Sequence, residues 1–346
     1  MSHLSSIKAL TMSYLAHNPN WRSHLFRAMG TEMAFWLETA DITAAKNAFA
    51  EAEALFRHHE QVLSRFQAQS ELSRLNRRTG RWTAVSSLFW DILVQALAMS
   101  EQTGGRFDPT ILNGLEQAGY ARSFELLSTS VPIPEAPSYP VMAGNWGDVL
   151  LDHASQSVYL PVGLRLDLGG IAKGYTAQQA VTLLGRVGPC LVDAGGDICA
   201  GAAPSDTAGW PVAVTSPRTS TKQIDLFTLF LANASLATSG IDHRRWQQNG
   251  RSQHHILDPA AGQPVATDLL TATVWAETAV EAEAWATASI IYGAASGTAA
   301  LIRQGIPAAL ITQNQDLLIT PAMARFVGLV AAPSFPQRKA KNVVVL

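Results

Sequence analysis

The sequence predicts an α+β fold, mainly antiparallel sheets with flanking helices, and three observations carry that expectation. From Val149 onward, short runs such as PCLVDA, WPVAVT, TATVWA and AALIT are separated by turn residues at the spacing of strands. The helical patterns are grouped rather than strictly alternating with these runs, which argues against a doubly wound parallel sheet. Hydrophobic residues fill 47% of the 346 positions, enough for a large core and too many for a disordered chain.

Taken in order, residues 1–27 read as an N-terminal leader, 28–320 as the folded domain and 321–346 as a C-terminal tail. Ala45, Phe49, Ala52, Leu55, Phe56, Val62, Leu63 and Phe66 recur at three- and four-residue spacing, so 41–66 reads as an amphipathic helix. A second helical pattern runs from Ser87 through Ile92, Leu93, Ala96 and Met99 and stops at Gly104-Gly105, as expected of a glycine stop. The proline-rich stretch 130–140 suits neither regular helix nor central strand and reads as a loop between two lobes. Beyond it come VLLD and SVYLP, then a helix from Ile171 to about Val187. PCLVDA and DICAGA meet at Gly195-Gly196, and WPVAVT and LFTLFL follow. A turn at Asn249-Gly250 precedes HHILD and TATVWA, a helix spans Thr278 to about Gln304, and AALIT closes the series. The last residues, QRKAKNVVVL, suit a frayed end or an edge strand.

Charge is scarce. With 25 Lys and Arg against 27 Asp and Glu, only 15% of residues are charged, where an average domain carries roughly 25%. A net charge of −2 excludes a generic nucleic-acid binder, which needs a basic surplus to release counterions. Mean hydropathy is +0.09, yet no run of about 20 consecutive apolar residues exists, so no membrane insertion is expected. The N-terminal segment shows no apolar run of signal-peptide length, and the chain is expected in the cytoplasm. Cys190 and Cys199 are too few for a zinc site. They flank a Gly-Gly turn, where a cross-strand pair is conceivable, but two buried free thiols are expected.

Four constellations stand out against this background. In LDLGGIAKGYTAQQA (166–180), a strand ending at Asp167 enters Gly169-Gly170 and a helix whose first turn holds Lys173. Such a helix start offers N–H groups and a positive dipole end to a phosphate, although an ordinary tight turn with an exposed lysine would look the same. LVDAGGDICAG (191–201) places Asp193 and Asp197 at the shoulders of a glycine turn, as a plain hairpin also would. The segment from Thr238 to Val265 concentrates Asp242, His243, Arg244, Arg245, His254, His255 and Asp258 around a hairpin. In AVEAEAWATASII (279–291), Glu283 and Thr287 are four apart on one helix face. Hard oxygen donors so placed suit Mg²⁺, and an ordinary helix surface is the alternative.

Together with RAMGTEM (27–33), LSRFQAQSELSRLN (63–76) and TGGRFDPTILNGLEQAGY (103–120), these blocks occur in the order seen in the ApbE family of FAD:protein FMN transferases, which the chain resembles over about Ala28 to Ile311. The resemblance implies an ApbE-like fold and a Mg²⁺-dependent enzyme with FAD as substrate. That enzyme cleaves the FAD pyrophosphate and transfers FMN to a Thr or Ser hydroxyl of an acceptor flavoprotein, releasing AMP. By the same resemblance, Met29, Phe66, Arg106, Phe107, Asp108, Asp167, Lys173 and His254 contact the flavin dinucleotide. Phe66 also fits a core position of its helix. The metal would be held by the Gly170 carbonyl, Glu283 and Thr287. His255 and Asp258 in HILDP are the candidates for a base, His255 because an ordinary imidazole titrates near neutrality.

Two features depart from the commoner family pattern. Glu283 stands where Asp is usual and is one methylene longer, while Mg²⁺ demands near-ideal octahedral geometry. The lipoprotein leader of many bacterial relatives is missing, which points to a cytoplasmic acceptor. The same machinery would also suit an FAD pyrophosphatase yielding FMN and AMP, or a non-catalytic FAD-binding protein.

Overall fold

A hairpin opens the computed structural model, which describes residues 18–124, 144–217, 224–248, 250–327 and 343–345. Strands β1 (Trp21–Ala28) and β2 (Thr31–Glu38) pair antiparallel through Met29-Gly30, both at positive φ, 50° and 71°. That two-residue turn matches the twist of the strands it joins. The sheet therefore starts inside the segment read as a leader. The proline-rich stretch 130–140 lies outside the described residues.

Helix α1 (Ile42–Leu63) starts where the Asp41 carboxylate accepts from Ala44 N, 2.9 Å away. Ser70 and Ser86 cap α2 (Glu71–Asn76) and α3 (Ser87–Gln102) in the same way. Strand β3 (Trp82–Ala84) lies between them, and α4 (Leu112–Gln117) follows. Strands β4 (Leu150–Asp152) and β5 (Ser157–Tyr159) join β3 in a small antiparallel sheet. Then come α5 (Ala172–Leu184), β6 (Cys190–Ala194), β7 (Ile198–Ala200), β8 (Trp210–Thr215), β9 (Asp225–Leu231) and β10 (Ala234–Gly240). Two small hairpins follow, β11 (Arg245–Gln248) with β12 (Arg251–His254), and β13 (Leu257–Asp258) with β14 (Gln263–Pro264). The chain ends with β15 (Leu269–Ala276), α6 (Ala279–Arg303), β16 (Ala308–Thr312), β17 (Leu317–Ile319), α7 (Pro321–Val327) and β18 (Val343–Val345).

The central sheet runs β1-β2-β6-β7-β10-β15-β16-β17-β18, antiparallel throughout except for the parallel β17–β18 pair. The C-terminus is thus an edge strand rather than a frayed end. The two-residue side-chain period sorts residues to opposite faces. Phe35, Val192 and Cys199 pack with Phe49, Phe56 and Ala177 of α1 and α5, whereas Trp36, Leu191, Ile198 and Leu236 pack under the β8–β9 hairpin. Helices, sheet and hairpin make three layers.

Among the described residues α6 alone is long and apolar enough to cross a membrane. In this fold it is a core helix packed on β10 and β15, with Glu283 buried in it. It is broken at Gly293 (φ 76°, ψ 175°), where the Asp268 carboxylate accepts from Ala294 N at 2.8 Å and starts a second half-helix. Cys190 and Cys199 are free and buried; Cys199 faces Val192 across the ladder, so the two thiols are not cross-strand partners.

Candidate active site

The β6–β7 turn, the start of α5 and the first half of α6 converge at one point. Gly195 and Gly196, both at positive φ (75° and 101°), turn the chain so that Asp197 faces Lys173 in the first turn of α5. Lys173 Nζ pairs with Asp197 Oδ2 and lies 3.0 Å from Glu283 Oε1. The other Glu283 oxygen accepts from Gly174 N at 3.0 Å. Gly174 has to be glycine, since a Cβ there would sit 2.4 Å from Glu283 Oε2. Ile171 at the N-cap of α5 has no side chain to cap it; Glu283 accepts from Gly174 N and the Leu168 carbonyl from Ile171 and Ala172 N, so the surface left for an anion is the exposed Gly169-Gly170 turn beside the helix.

All three charges are withdrawn from water. Burial opposes the Lys173 charge, yet Asp197 and Glu283 hold its ammonium protonated well above the usual range. Burial first, and then the Asp197 charge, push Glu283 up, against the pull of Lys173. Asp193 is fully buried, and burial raises it to about 7. One of its oxygens accepts from Gly196 N at 2.7 Å, and the other has no partner among the described residues. Two carboxylates, Asp197 and Glu283, therefore share the Lys173 ammonium, and burial is what chiefly raises Glu283 and Asp193.

The donor set, with one buried Asp193 oxygen that has no hydrogen-bond partner among the described residues, is the observation on which a divalent cation fits. Glu283, Asp197 and the Thr287 hydroxyl are hard oxygen donors, and Mg²⁺ typically takes only one or two carboxylates. Thr287 Oγ1 lies 3.0 Å from Ser239 Oγ, and Gly170 lies against Phe107, whose Cε2 would be 3.1 Å from an added Cβ. Among the described residues no group of three His, Cys, Asp or Glu side chains is arranged as a preformed cage. A metal reaching Glu283 has to compete with Lys173.

A second feature borders the segment that leads into this turn, which is not the strand expected to end at Asp167 but irregular chain with a single bridge from Arg165 to Ile111. Arg65 Nε is 2.5 Å from Asp167 Oδ2, and its Nη1 donates to the Tyr120 carbonyl at 2.7 Å. The guanidinium carbon lies 4.2 Å from the Phe66 ring centre and 4.6 Å from that of Tyr120. Trp246 extends the wall at 5.4 Å from Tyr120 and is anchored by its indole N–H on the Ala118 carbonyl, 2.6 Å away. Phe66 is 44% exposed, which sets aside the core-packing reading and leaves a ring face open for stacking. Asp167 also accepts from Gly169 N at 2.8 Å, so it organises the glycine turn.

The remaining sequence candidates take different places. His255 is close enough to feel the charges of Arg244 and Lys173; burial foremost, then those charges, hold its imidazole well below 6.5. His254 is buried with Nε2 3.2 Å from the Val265 carbonyl, and burial lowers it too. Asp258 accepts from Ala260 N at 3.0 Å in its own turn and faces Arg106 at 3.8 Å. Arg106 lies over the Tyr292 ring at 5.2 Å. The Asp108 carboxylate is turned inward, accepting from Thr110 N and Oγ1 at 2.7 and 2.6 Å, and burial raises it. Phe107 is buried. Met29 stands at the hairpin turn, where neighbouring Thr31 packs against Gly195.

Sequence reading left out Asp193, Asp197, Arg65 and Tyr120 as site residues. The two aspartates were visible as hairpin shoulders, but their burial was not. Arg65 sits at the end of a helix, where a lone arginine carries no pattern.

Fold and site together define a class: a sheet protein whose exposed glycine turn adjoins a buried Lys–carboxylate cluster and an aromatic wall with Phe66 exposed at its edge. The chain belongs to the ApbE family, whose pattern matches residues 29–310. Among similar proteins is the FAD:protein FMN transferase of Treponema pallidum, 30% identical over 266 residues, which are 71% of each chain. That of Klebsiella pneumoniae is 29% identical over 307 residues, covering 86% of this chain and 92% of the relative. The crystal structure of the ApbE protein from Thermotoga maritima superposes with a TM-score of 0.79 over 89% of this chain and 99% of its own, at 24% identity. That of the flavinyl transferase ApbE from Pseudomonas stutzeri gives 0.75 over 89% and 97%, at 23% identity. These two likenesses establish the α+β fold.

Proposed function

We propose that the protein is an FAD:protein FMN transferase. It moves the FMN half of FAD onto a Thr or Ser hydroxyl of an acceptor flavoprotein and releases AMP. The observation that carries this reading is the arrangement along 167–174: an aromatic wall at Asp167, an open glycine turn, then a buried cationic and acidic cluster, in the sequence order of a family whose curated members bear that name.

The parts then have distinct tasks. Phe66, with Tyr120 and Trp246 behind it, offers a face for a flat ring system, and Arg65 fixes that face to Asp167. The exposed backbone of Gly169 and Gly170, beside the start of α5, receives the pyrophosphate. Glu283, Thr287 and the Gly170 carbonyl are the residues that would hold a magnesium ion, which when bound supplies charge neutralisation on the pyrophosphate. The acceptor hydroxyl oxygen forms a bond to the FMN phosphorus, the bond from that phosphorus to the AMP oxygen breaks, and AMP leaves. The hydroxyl proton passes to a base. The reading gives that role to His255, whose imidazole is neutral, whereas Asp258 accepts within its own turn and faces Arg106.

The test is to incubate the purified chain with FAD and Mg²⁺, with and without an acceptor domain, and to follow nucleotides by chromatography and the acceptor by mass spectrometry. Covalent flavin on the acceptor supports the transferase. Free FMN and AMP without acceptor would assign a pyrophosphatase, and intact FAD in every sample would assign a flavin carrier.

A further inference from the structure

The Lys173 ammonium sits between Asp197 and Glu283, in the position a cation shared by those two carboxylates would take. Glu283 reaches it because its side chain is long: one oxygen meets Lys173 Nζ while the other meets Gly174 N, each at 3.0 Å. An aspartate at this position would be one methylene short of both contacts. Like-charged Arg244 lies near enough to press on Lys173, and Asp193 contributes a further buried acid on the other side of the β6–β7 turn. Asp197 and Glu283 thus share the Lys173 ammonium, which stands in the first turn of α5 next to the exposed Gly169-Gly170 turn.

We propose that Lys173 is an internal cation that competes with a divalent metal for Glu283, so that metal binding and release of the Lys173 ammonium toward the exposed Gly169-Gly170 turn are one event. In the metal-free protein Lys173 offsets the desolvated Glu283, which would otherwise be strongly destabilising. When a divalent ion takes the Glu283 oxygen, Lys173 leaves Glu283 and turns toward an anion at Gly169-Gly170. The identity of that anion as the FAD pyrophosphate rests on the transferase reading; the competition itself does not.

The test needs no FAD. Binding of Mn²⁺ to the full chain is measured by electron paramagnetic resonance for wild type and Lys173→Met. Removal of the competitor is expected to tighten Mn²⁺ binding about tenfold; equal or weaker binding overturns the proposal, as does failure of both proteins to bind at millimolar Mn²⁺. Because Lys173→Met leaves two buried acids unpaired, the same comparison is made between Asp197→Asn and the Asp197→Asn/Lys173→Met double variant, with the same direction expected. In wild type, Mn²⁺ is expected to raise acylation of Lys173 by an amine-reactive reagent, read by peptide mass spectrometry. Unchanged labelling overturns the release step. Transferase assays can fail without moving any of these readouts, so the two readings fall separately.

Discussion

Arg65 Nε lies 2.5 Å from Asp167 Oδ2, and this pair ties the end of α1 to the turn that opens α5. Both side chains are largely buried, so removing one partner strands the other. Arg65→Met is expected to lower stability by about 3 kcal/mol in urea denaturation, the usual scale for breaking a buried pair. Arg65→Lys is expected to recover little of this, because an ammonium lacks the planar fork that holds Asp167 and the Tyr120 carbonyl while lying against two rings.

Phe66 is exposed, so its loss should separate binding from folding. Phe66→Ala is expected to weaken FAD binding about tenfold, on the scale of roughly 1–3 kcal/mol per stacked ring, with stability changed by no more than about 0.5 kcal/mol. Flavin fluorescence titration and denaturation on the same sample check both halves.

Asp193 supplies a pH signature. Its folded pKa, about 7, lies above its ordinary value of 3.8, so between these the folded state holds more protons than the unfolded one. Stability from this group is full below about pH 4, falls as pH rises toward 7, and is lost above, by up to roughly 4 kcal/mol. Asp193→Asn keeps an oxygen for Gly196 N and is expected to flatten that slope in urea melts between pH 5 and 8.

His255 is held neutral well below pH 6.5 by burial, Arg244 and His254. If it takes the acceptor proton, the acid limb of the rate profile lies well below pH 6.5. His255→Gln is expected to slow transfer about a hundredfold or more with FAD affinity retained. An unchanged rate would remove His255 from the chemistry.

Cys190 and Cys199 are pushed up to about 12 by burial. Neither forms thiolate at neutral pH, so a disulfide reagent is expected to find no fast thiol in the native protein and two after denaturation.

The fold was legible where periodicity is strong. Helices α1 and α3 and strands β6, β8 and β15 begin and end within a few residues of their sequence patterns, because one buried face imposes a fixed spacing. The β1–β2 hairpin was missed because Met29-Gly30 is not among the commonest hairpin dipeptides, and WRSHLFRA carries two arginines on an edge strand. The candidate site was legible as residue types but not as contacts. Glu283 and Lys173, 110 positions apart, meet only because β7 and α6 bracket the start of α5. No local spacing encodes that meeting. Asp108 belongs to the loop expected at the nucleotide, and its carboxylate organises that loop's backbone through Thr110, a contact visible only once its rotamer is known.

The break at Gly293 divides α6 into two pieces with separate starting points, one set by Thr278 and the other by Asp268. Glu283 and Thr287 belong to the first piece alone. The second piece folds back on the first, with Gly297 against the Ser289 carbonyl and Leu301 buried in one core with Ile290 and Leu310. Gly293 is therefore a joint rather than a free end: straining its positive φ with a side chain would press on the arm that carries the acid facing Lys173.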